Sequence, residues 1–462
     1  MMSIIYKVFR TPLHNYLYDR NTNKILRISE ADYKSLSEKE ADKDVIRKFQ
    51  KRGFLLEDKL EGIEHPNTKI LHHILENRME YLLLQVTQEC NLRCSYCVYG
   101  GNYENRKHSN RDMTFDLARR AIQYYVKRSS EMEELTLGFY GGEPLLNMKL
   151  ITKCVDYIKQ LVPDKPINFT LTTNGTLLTL DTARYLYENG FDIVISLDGA
   201  KEDHDKNRVF KDSGKGTFNV IMRHMKTIKD NLPEFMSKIS FNTVLNYNCN
   251  FSCVKDYYNT NEVVKDAYSV FNLVETTNTY SESEFSKRFL IEYKYEQFLL
   301  FMYMLSKCEK KYLLHSQLIN MIYYRDFFRM VKESGTIDSK WHHNGPCVPG
   351  ARRLFVSVTG EFYPCEKVPE EKVTQIGDID RGIDEMACEK ILNIGKITEK
   401  NCESCWALRI CDQCVAKAID KNSISREKKL CCCPESRSIA LDKLKVVSML
   451  NEFGVSLEEV IE

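Results

Sequence analysis

The sequence predicts an α/β fold built on parallel strands, with a small cysteine-free domain before it and a cysteine-rich one after it. Three observations predict this. From Tyr81 onward, short apolar strand-like runs alternate with amphipathic segments, and such alternation implies parallel strands joined by right-handed crossovers. Residues 1–80 hold no cysteine, whereas ten of the seventeen cysteines lie between Cys347 and Cys433. The loops equipped for chemistry follow the strand-like runs, and strand carboxyl ends are where ligands gather in such folds.

Taken in order, residues 6–9, 16–18 and 25–28 read as strands, with a turn over 19–23. Ser29 to Asp32 starts a helix. A second helix over 45–50 leads into a last strand or wing at 51–56. Residues 81–86 are nearly continuously apolar, as in a strand covered on both faces. Residues 135–140, 167–171, 193–197 and 239–244 repeat the theme. Phe218, Ile221, Met225 and Ile228 fall on one helix face. Asp181 is placed to cap the helix that ends near Gly190. Cys154 shares an apolar helix face with Leu150, Ile158 and Leu161, so it is expected in the core. Residues 280–335 read as helix, with Tyr293, Tyr295, Phe298, Phe301 and Tyr303 packing inward. The expected domains are 1–80, 81–335 and 336–440, closed by a helix over 441–462.

Composition narrows the function. Sixty-six basic and 65 acidic residues leave a net charge of +1, which offers no electrostatic case for a nucleic-acid partner. The longest apolar run, 298–305, is far short of the roughly 20 residues of a membrane span. The N-terminus lacks the apolar stretch of a signal peptide. A cytoplasmic protein without membrane attachment is expected. Cytosolic cysteines in clusters argue for metal rather than disulfides. Cys249 and Cys253, spaced C-x3-C, have no third partner nearby and are expected to be free of metal.

Cys90, Cys94 and Cys97 form C-x3-C-x2-C directly after the first apolar run. Three thiolates on one short loop can hold three corners of a cubane iron–sulfur cluster and leave the fourth iron open. A zinc loop would more often show paired C-x2-C hooks. After the second strand comes Tyr140-Gly141-Gly142-Glu143-Pro144, whose glycines allow close backbone approach to a ligand. Thr172-Thr173-Asn174-Gly175 and Ser196-Leu197-Asp198-Gly199 follow the third and fourth; taken singly, both are also ordinary turns. Beyond them, Arg208 is suited to bidentate carboxylate binding. His204, beside Asp205, reads as solvated.

In this order the motifs resemble the radical S-adenosylmethionine (SAM) enzymes, and the DG-x4-HD-x2-R run at 198–208 resembles their peptide- and protein-modifying branch. The resemblance implies a partial (β/α)6 barrel in which Cys90, Cys94 and Cys97 hold a [4Fe-4S] cluster whose open iron chelates SAM. It implies that Gly141, Gly142, Glu143 and Pro144 bind the amino group of SAM, and that Thr173, Asn174, Ser196, Asp198 and Arg208 complete the SAM site.

The tail resembles the SPASM extension. Cys347 and Cys365 flank Gly360, then come Cys402, Cys405, Cys411 and Cys414, then Cys431-Cys432-Cys433. The family layout implies two auxiliary clusters, three in all. Cys402, Cys405, Cys411 and either Cys432 or Cys433 would hold the outer one, and Cys347, Cys365 and Cys414 the inner one. A zinc ribbon is the competing reading. The inner set is one ligand short: some relatives place a cysteine about six residues before the first, where this chain has Trp341, His342 and His343. An open or histidine-bound inner site is therefore expected.

The front domain resembles the winged-helix-like leader-recognition domains fused to enzymes that modify ribosomally made peptides. A DNA-binding winged helix and a plain structural cap are the alternatives. Together these resemblances imply a radical SAM enzyme acting on a cysteine-rich precursor peptide, forming thioether crosslinks and fed by flavodoxin or ferredoxin. The enzymatic alternatives are an anaerobic sulfatase-maturing activity, in which Glu366 beside Cys365 serves as base, and carbon–carbon or carbon–oxygen cyclisation. A DNA-binding iron–sulfur or zinc regulator is the non-enzymatic one.

Overall fold

The structure is a computed structural model that describes residues 4–38, 40–100, 108–247, 249–274, 285–309, 324–332 and 335–455. Parts of the helix expected over 280–335 and the end of the one expected over 441–462 lie outside these residues.

Strands β1 (Tyr6–Arg10), β2 (Asn15–Asp19) and β3 (Lys24–Ile28) form an antiparallel sheet in the order β1-β2-β3. Helices Glu30–Ser37 and Lys43–Gln50 pack on it, capped by Ser29 and Asp42. Residues 51–56 are not a strand. Gly53 and Leu55 take positive φ values, +82° and +52°, which break an extended path.

A two-residue strand, β4 (Gly62–Ile63), leads into β5 (Tyr81–Thr87), β6 (Leu135–Gly141), β7 (Ile167–Thr173), β8 (Phe191–Ser196), β9 (Ile239–Leu245) and β10 (Tyr268–Leu273). The last six lie side by side in chain order, all parallel, as the partial (β/α)6 barrel requires. β10 has no counterpart in the sequence reading. It is an edge strand with Tyr268 and Leu273 exposed, so it lacks the continuous apolar pattern of a strand buried on both faces.

Helices on the crossovers cover the strands with apolar faces. Ile221, Met225 and Ile228 are buried as expected in Phe218–Asn231. Cys154 is buried beside Leu150 and Ile158, but Leu161 faces solvent. The helix Leu180–Glu188 is capped by Thr179 rather than Asp181, because the Thr179 side chain stands outside the first turn and accepts from the Thr182 N–H. Tyr295 and Phe298 are exposed on the helix Lys287–Met304, whereas Tyr293, Phe301 and Tyr303 pack inward.

The cysteine-rich segment is continuous with the barrel. β11 (Lys340–Trp341) pairs with β4. β12 (Leu354–Val356) runs parallel to β5, and β13 (Glu361–Tyr363), β14 (Gly377–Asp378) and β15 (Gly382–Ile383) extend the same sheet antiparallel. The closing helix begins at Cys433 and runs to Glu452, starting earlier than expected because Pro434 favours a first helical turn. Among the described residues no helix is long and apolar enough to cross a membrane.

The N-terminal sheet is fastened to this segment by two buried arginines. Arg20 pairs with Asp58 and donates to the carbonyls of Glu403 (2.5 Å) and Cys405 (3.2 Å). Arg409 donates to the carbonyls of Asn21 (2.7 Å) and Gly335 (2.8 Å).

Candidate active site

Cysteines line three cavities. The first, about 310 Å³, opens at the carboxyl ends of the barrel strands. Cys90, Cys94 and Cys97 share its wall with Gly141, Gly142, Thr173, Asn174, Ser196 and Arg208. Glu143, Pro144 and Asp198 are buried just behind that wall.

The glycine pair seats the cysteine loop. A Cβ on Gly141, whose φ is +151°, would lie 2.1 Å from the Thr87 carbonyl oxygen, and one on Gly142 would lie 2.1 Å from that of Glu89. Gly142 N–H donates to Thr87 O at 2.9 Å and Glu143 N–H to Glu89 O at 2.8 Å. The close approach is thus to the neighbouring backbone. The Glu143 carboxylate ties strand ends together, accepting from Thr173 Oγ1 (2.7 Å), Asn174 N–H (2.7 Å) and Leu145 N–H (3.0 Å). Burial pushes its pKa up to about 7 against these hydrogen bonds.

The loop is gripped from the other side as well. Arg93 and Ser95 N–H groups donate to the Val209 and Asn207 carbonyls, each at 2.9 Å. Arg208 does bind a carboxylate through two nitrogens, but it is that of Asp198, at 2.9 and 3.3 Å. Asp198 also accepts from Val244 N–H (3.1 Å) and the Tyr96 hydroxyl, and Arg208 Nη1 stands 3.9 Å from Cys94 Sγ. His204 is not solvated. It lies in the short helix Lys201–Asn207, fully buried, accepting from Asp198 N–H at 3.2 Å and bonded to Thr217 Oγ1 at 2.8 Å. Burial holds its pKa down at about 4. Its charged sequence neighbours hid this, although Asp203 beside it is buried as well.

The donor set fits a cluster bound through sulfur. Leu92 N–H reaches Cys90 Sγ and Tyr99 N–H reaches Cys97 Sγ, both at 3.4 Å, and Asn174 Nδ2 stands 3.9 Å from Cys90 Sγ. Donors around sulfur stabilise thiolates. Burial, the largest cause, pushes the thiols of Cys90 and Cys94 up to about 12 and 11, so they need a bound cation to ionise.

The second cavity, about 540 Å³, is lined by Cys347, Cys365 and Cys414. It lies at the amino ends of β5 and β6, where Tyr81 and Thr136 contribute to its wall. Among the described residues, neither a histidine nor a fourth cysteine lines it. The Tyr81 ring crosses the barrel over Gly138, where a Cβ would lie 2.3 Å from the phenol oxygen, and it bonds Thr170 Oγ1 at 2.6 Å. Arg353 stacks on that ring at 4.7 Å and clamps both oxygens of Glu366. The carboxylate expected to act as a base is thus held in an ion pair.

The third cavity, about 560 Å³, is lined by Cys402, Cys405, Cys411 and Cys433. Cys432 is outside this wall, with its Sγ directed to Lys417 O at 3.7 Å. The histidines expected near the inner cysteines are displaced to this end: His343 lines the third cavity, and His342 accepts from Gly395 N–H at 2.7 Å. The cause is the β4–β11 pairing, which carries Trp341 and the residues after it away from Cys347. Among the described residues, no three His, Cys, Asp or Glu side chains converge as a single metal ion would need.

Sequence reasoning missed a tyrosine–carboxylate link between the cysteine loop and the tail. Tyr99 OH donates to Glu370 at 2.7 Å, and Gln85 Nε2 reaches the same carboxylate at 2.9 Å. The only local signal was a tyrosine two residues beyond Cys97.

Residues 84–259 match the family model described as the Radical SAM superfamily. This stretch is a radical SAM domain. Such a domain implies SAM and a [4Fe-4S] cluster. The chain is 34% identical over 177 residues to a cysteine-type anaerobic sulfatase-maturating enzyme of Clostridium novyi, covering 37% of this chain and 44% of that one. It is 27% identical over 245 residues to the radical SAM cyclopropyl synthase TigE of Paramaledivibacter caminithermalis, covering 50% and 48%. It therefore spans about half the length of the curated relatives it matches. The solved structure of native anSMEcpe with bound AdoMet superposes with a TM-score of 0.57 at 19% identity, over 78% of this chain and 99% of that one. That likeness extends the shared fold beyond residues 84–259.

Proposed function

We propose that this protein is a radical SAM enzyme that modifies a cysteine-rich, ribosomally made peptide and forms thioether bonds from cysteine sulfur to carbon. The observation that carries this reading is the second cavity, which Cys347, Cys365 and Cys414 line with neither a fourth cysteine nor a histidine among the described residues. A cluster held by three thiolates leaves one iron for a substrate thiolate. When bound, the clusters and SAM supply electron transfer and a 5′-deoxyadenosyl radical that takes hydrogen from the substrate.

The chain's own residues do the rest. Gly141, Gly142 and Glu143 hold the cysteine loop against the strand ends. Thr173, Asn174 and Ser196 offer small polar groups to SAM, and Asp198 with Arg208 keeps Tyr96 and Cys94 in place. Tyr81 floors the barrel between the two chambers. Cys402, Cys405, Cys411 and Cys433 hold an outer cluster, making three in all. An edge of the β1-β2-β3 sheet, beyond which no strand lies among the described residues, pairs with the leader of the precursor. A cytoplasmic flavodoxin or ferredoxin is the proposed reductant.

Two other readings have specific support. The relatives named as anaerobic sulfatase-maturating enzymes favour oxidation of a protein side chain, with Glu366 beside Cys365 as base; the Arg353 clamp on Glu366 counts against it. The similarity to a cyclopropyl synthase favours carbon–carbon closure in a peptide.

The test is incubation of the reconstituted, reduced protein with SAM and a cysteine-rich precursor carrying its leader, followed by mass spectrometry. Loss of two hydrogens per bond together with fewer alkylatable thiols is expected. Loss of hydrogens with every thiol still alkylatable would refute thioether formation in favour of carbon–carbon closure. Release of 5′-deoxyadenosine only with a sulfatase-type peptide would favour maturation.

A further inference from the structure

The outer cavity contains a polar group that its cysteines do not account for. Cys402, Cys405, Cys411 and Cys433 line it, and four thiolates complete the protein ligand set of one cubane cluster. His343 lines the same cavity at 1% exposure, and neither of its ring nitrogens has a partner. Buried polar groups without a hydrogen bond are rare and demand an explanation.

The surroundings show which partner is missing. His342 has used the nearby protein groups, taking the His343 carbonyl on Nδ1 (2.8 Å) and Gly395 N–H on Nε2 (2.7 Å). The Gln413 side-chain oxygen on the same wall is also unpartnered, so these two orphans are not paired with each other. Asn401 and Ser404 on this wall already hydrogen-bond to Arg426 and Lys400, and apart from the Gln413 oxygen the other side-chain acceptors lining the cavity are the cysteine sulfurs. Gln413 Nε2 stands 3.7 Å from Cys433 Sγ, and Thr398 Oγ1 is 3.2 Å from Cys402 Sγ. Lys429, 1% exposed, adds a cation to this wall, with its Nζ on Thr398 Oγ1 at 3.1 Å and no ion pair among the described residues. A buried ammonium calls for an anion, and so do the donors around it. A thiolate-ligated cluster supplies that negative charge.

We propose that His343 donates a ring N–H hydrogen bond to the sulfur shell of an outer [4Fe-4S] cluster held by Cys402, Cys405, Cys411 and Cys433. This rests on the reading that the tail holds such a cluster. Hydrogen bonds to cluster sulfur and nearby positive charge favour the more negative, reduced state. His343, with Lys429 behind it, therefore raises the outer cluster's reduction potential, making it the place where an electron withdrawn from substrate comes to rest.

The test uses the full-length chain with Cys90, Cys94, Cys97, Cys347, Cys365 and Cys414 all changed to alanine, loaded anaerobically so that only the outer cluster forms. His343→Phe is expected to leave the iron content unchanged and shift the midpoint potential negative, and His343→Gln, which keeps an N–H donor, to recover most of the shift. Should the six-alanine chain not fold, pulsed EPR on the fully loaded chain with ¹⁵N-histidine reads the same contact; a weak coupling to one imidazole nitrogen, lost in His343→Phe, is expected. An unchanged potential, or no nitrogen coupling, overturns the hydrogen bond. Strong coupling with iron lost in His343→Phe overturns it in favour of direct ligation. No outer cluster in a folded chain overturns the cluster assignment itself.

Discussion

Arg20, in the turn between β2 and β3, donates to the backbone carbonyl of Cys405 at 3.2 Å, joining the N-terminal sheet to the loop that bears the outer cysteines. The guanidinium is buried, and its partner Asp58 is buried with it. Arg20→Met is expected to strand the Asp58 charge and free the 402–405 loop. Removing one partner of a buried pair costs about 3–5 kcal/mol. Thermal unfolding and iron content check this together: a lowered midpoint with iron lost from the outer site alone is the expected pattern.

Gly142→Ala is expected to displace the cysteine loop, because the added methyl meets the Glu89 carbonyl and cannot be accommodated by a rotamer change. Iron at the Cys90/Cys94/Cys97 loop and 5′-deoxyadenosine formation should both fall at least tenfold, with auxiliary iron retained. Normal iron with lost turnover would instead assign Gly142 to SAM contact alone.

Cys433→Ala is expected to abolish the outer cluster, and Cys432→Ala to leave it intact, since only Cys433 lines that cavity. Iron analysis and EPR of the two single variants distinguish them. Equal losses would mean that both sulfurs compete for one corner.

Stability should weaken on mild acidification through His204. Its pKa is about 4 in the folded chain, against an ordinary 6.5, so the unfolded chain takes up the proton first. The stability that neutral His204 contributes is fully present above pH 6.5 and is lost as the pH falls towards 4. The full effect is on the order of 3 kcal/mol. Unfolding midpoints of the metal-free protein at stepped pH should show this slope, and His204→Asn should flatten it.

β5 was legible because it is buried along nearly its whole length, and β7 and β9 because their apolar residues alternate onto one buried face, while β10, an edge strand, exposes Tyr268 and Leu273. The cysteine loop and the Gly141-Gly142 pair were legible from spacing, which is local. What the glycines touch was not, since Thr87 and Glu89 reach them only through the parallel pairing of β5 with β6. Arg208 and Glu366 were recognised as charged groups suited to a site, but their partners, Asp198 and Arg353, depend on tertiary packing. His343 was placed by proximity in sequence to Cys347, whereas a two-residue pairing with β4 turns it to the other cavity.

β5 has one cysteine-lined chamber at each end: Tyr81 borders the inner cavity, and Cys90 follows Thr87 at the other. Seven residues of strand measure roughly 20 Å. The barrel wall is therefore a ruler. A peptide touching both chambers at once must lay about six extended residues between them, so any smaller ring has to be closed after one end has let go.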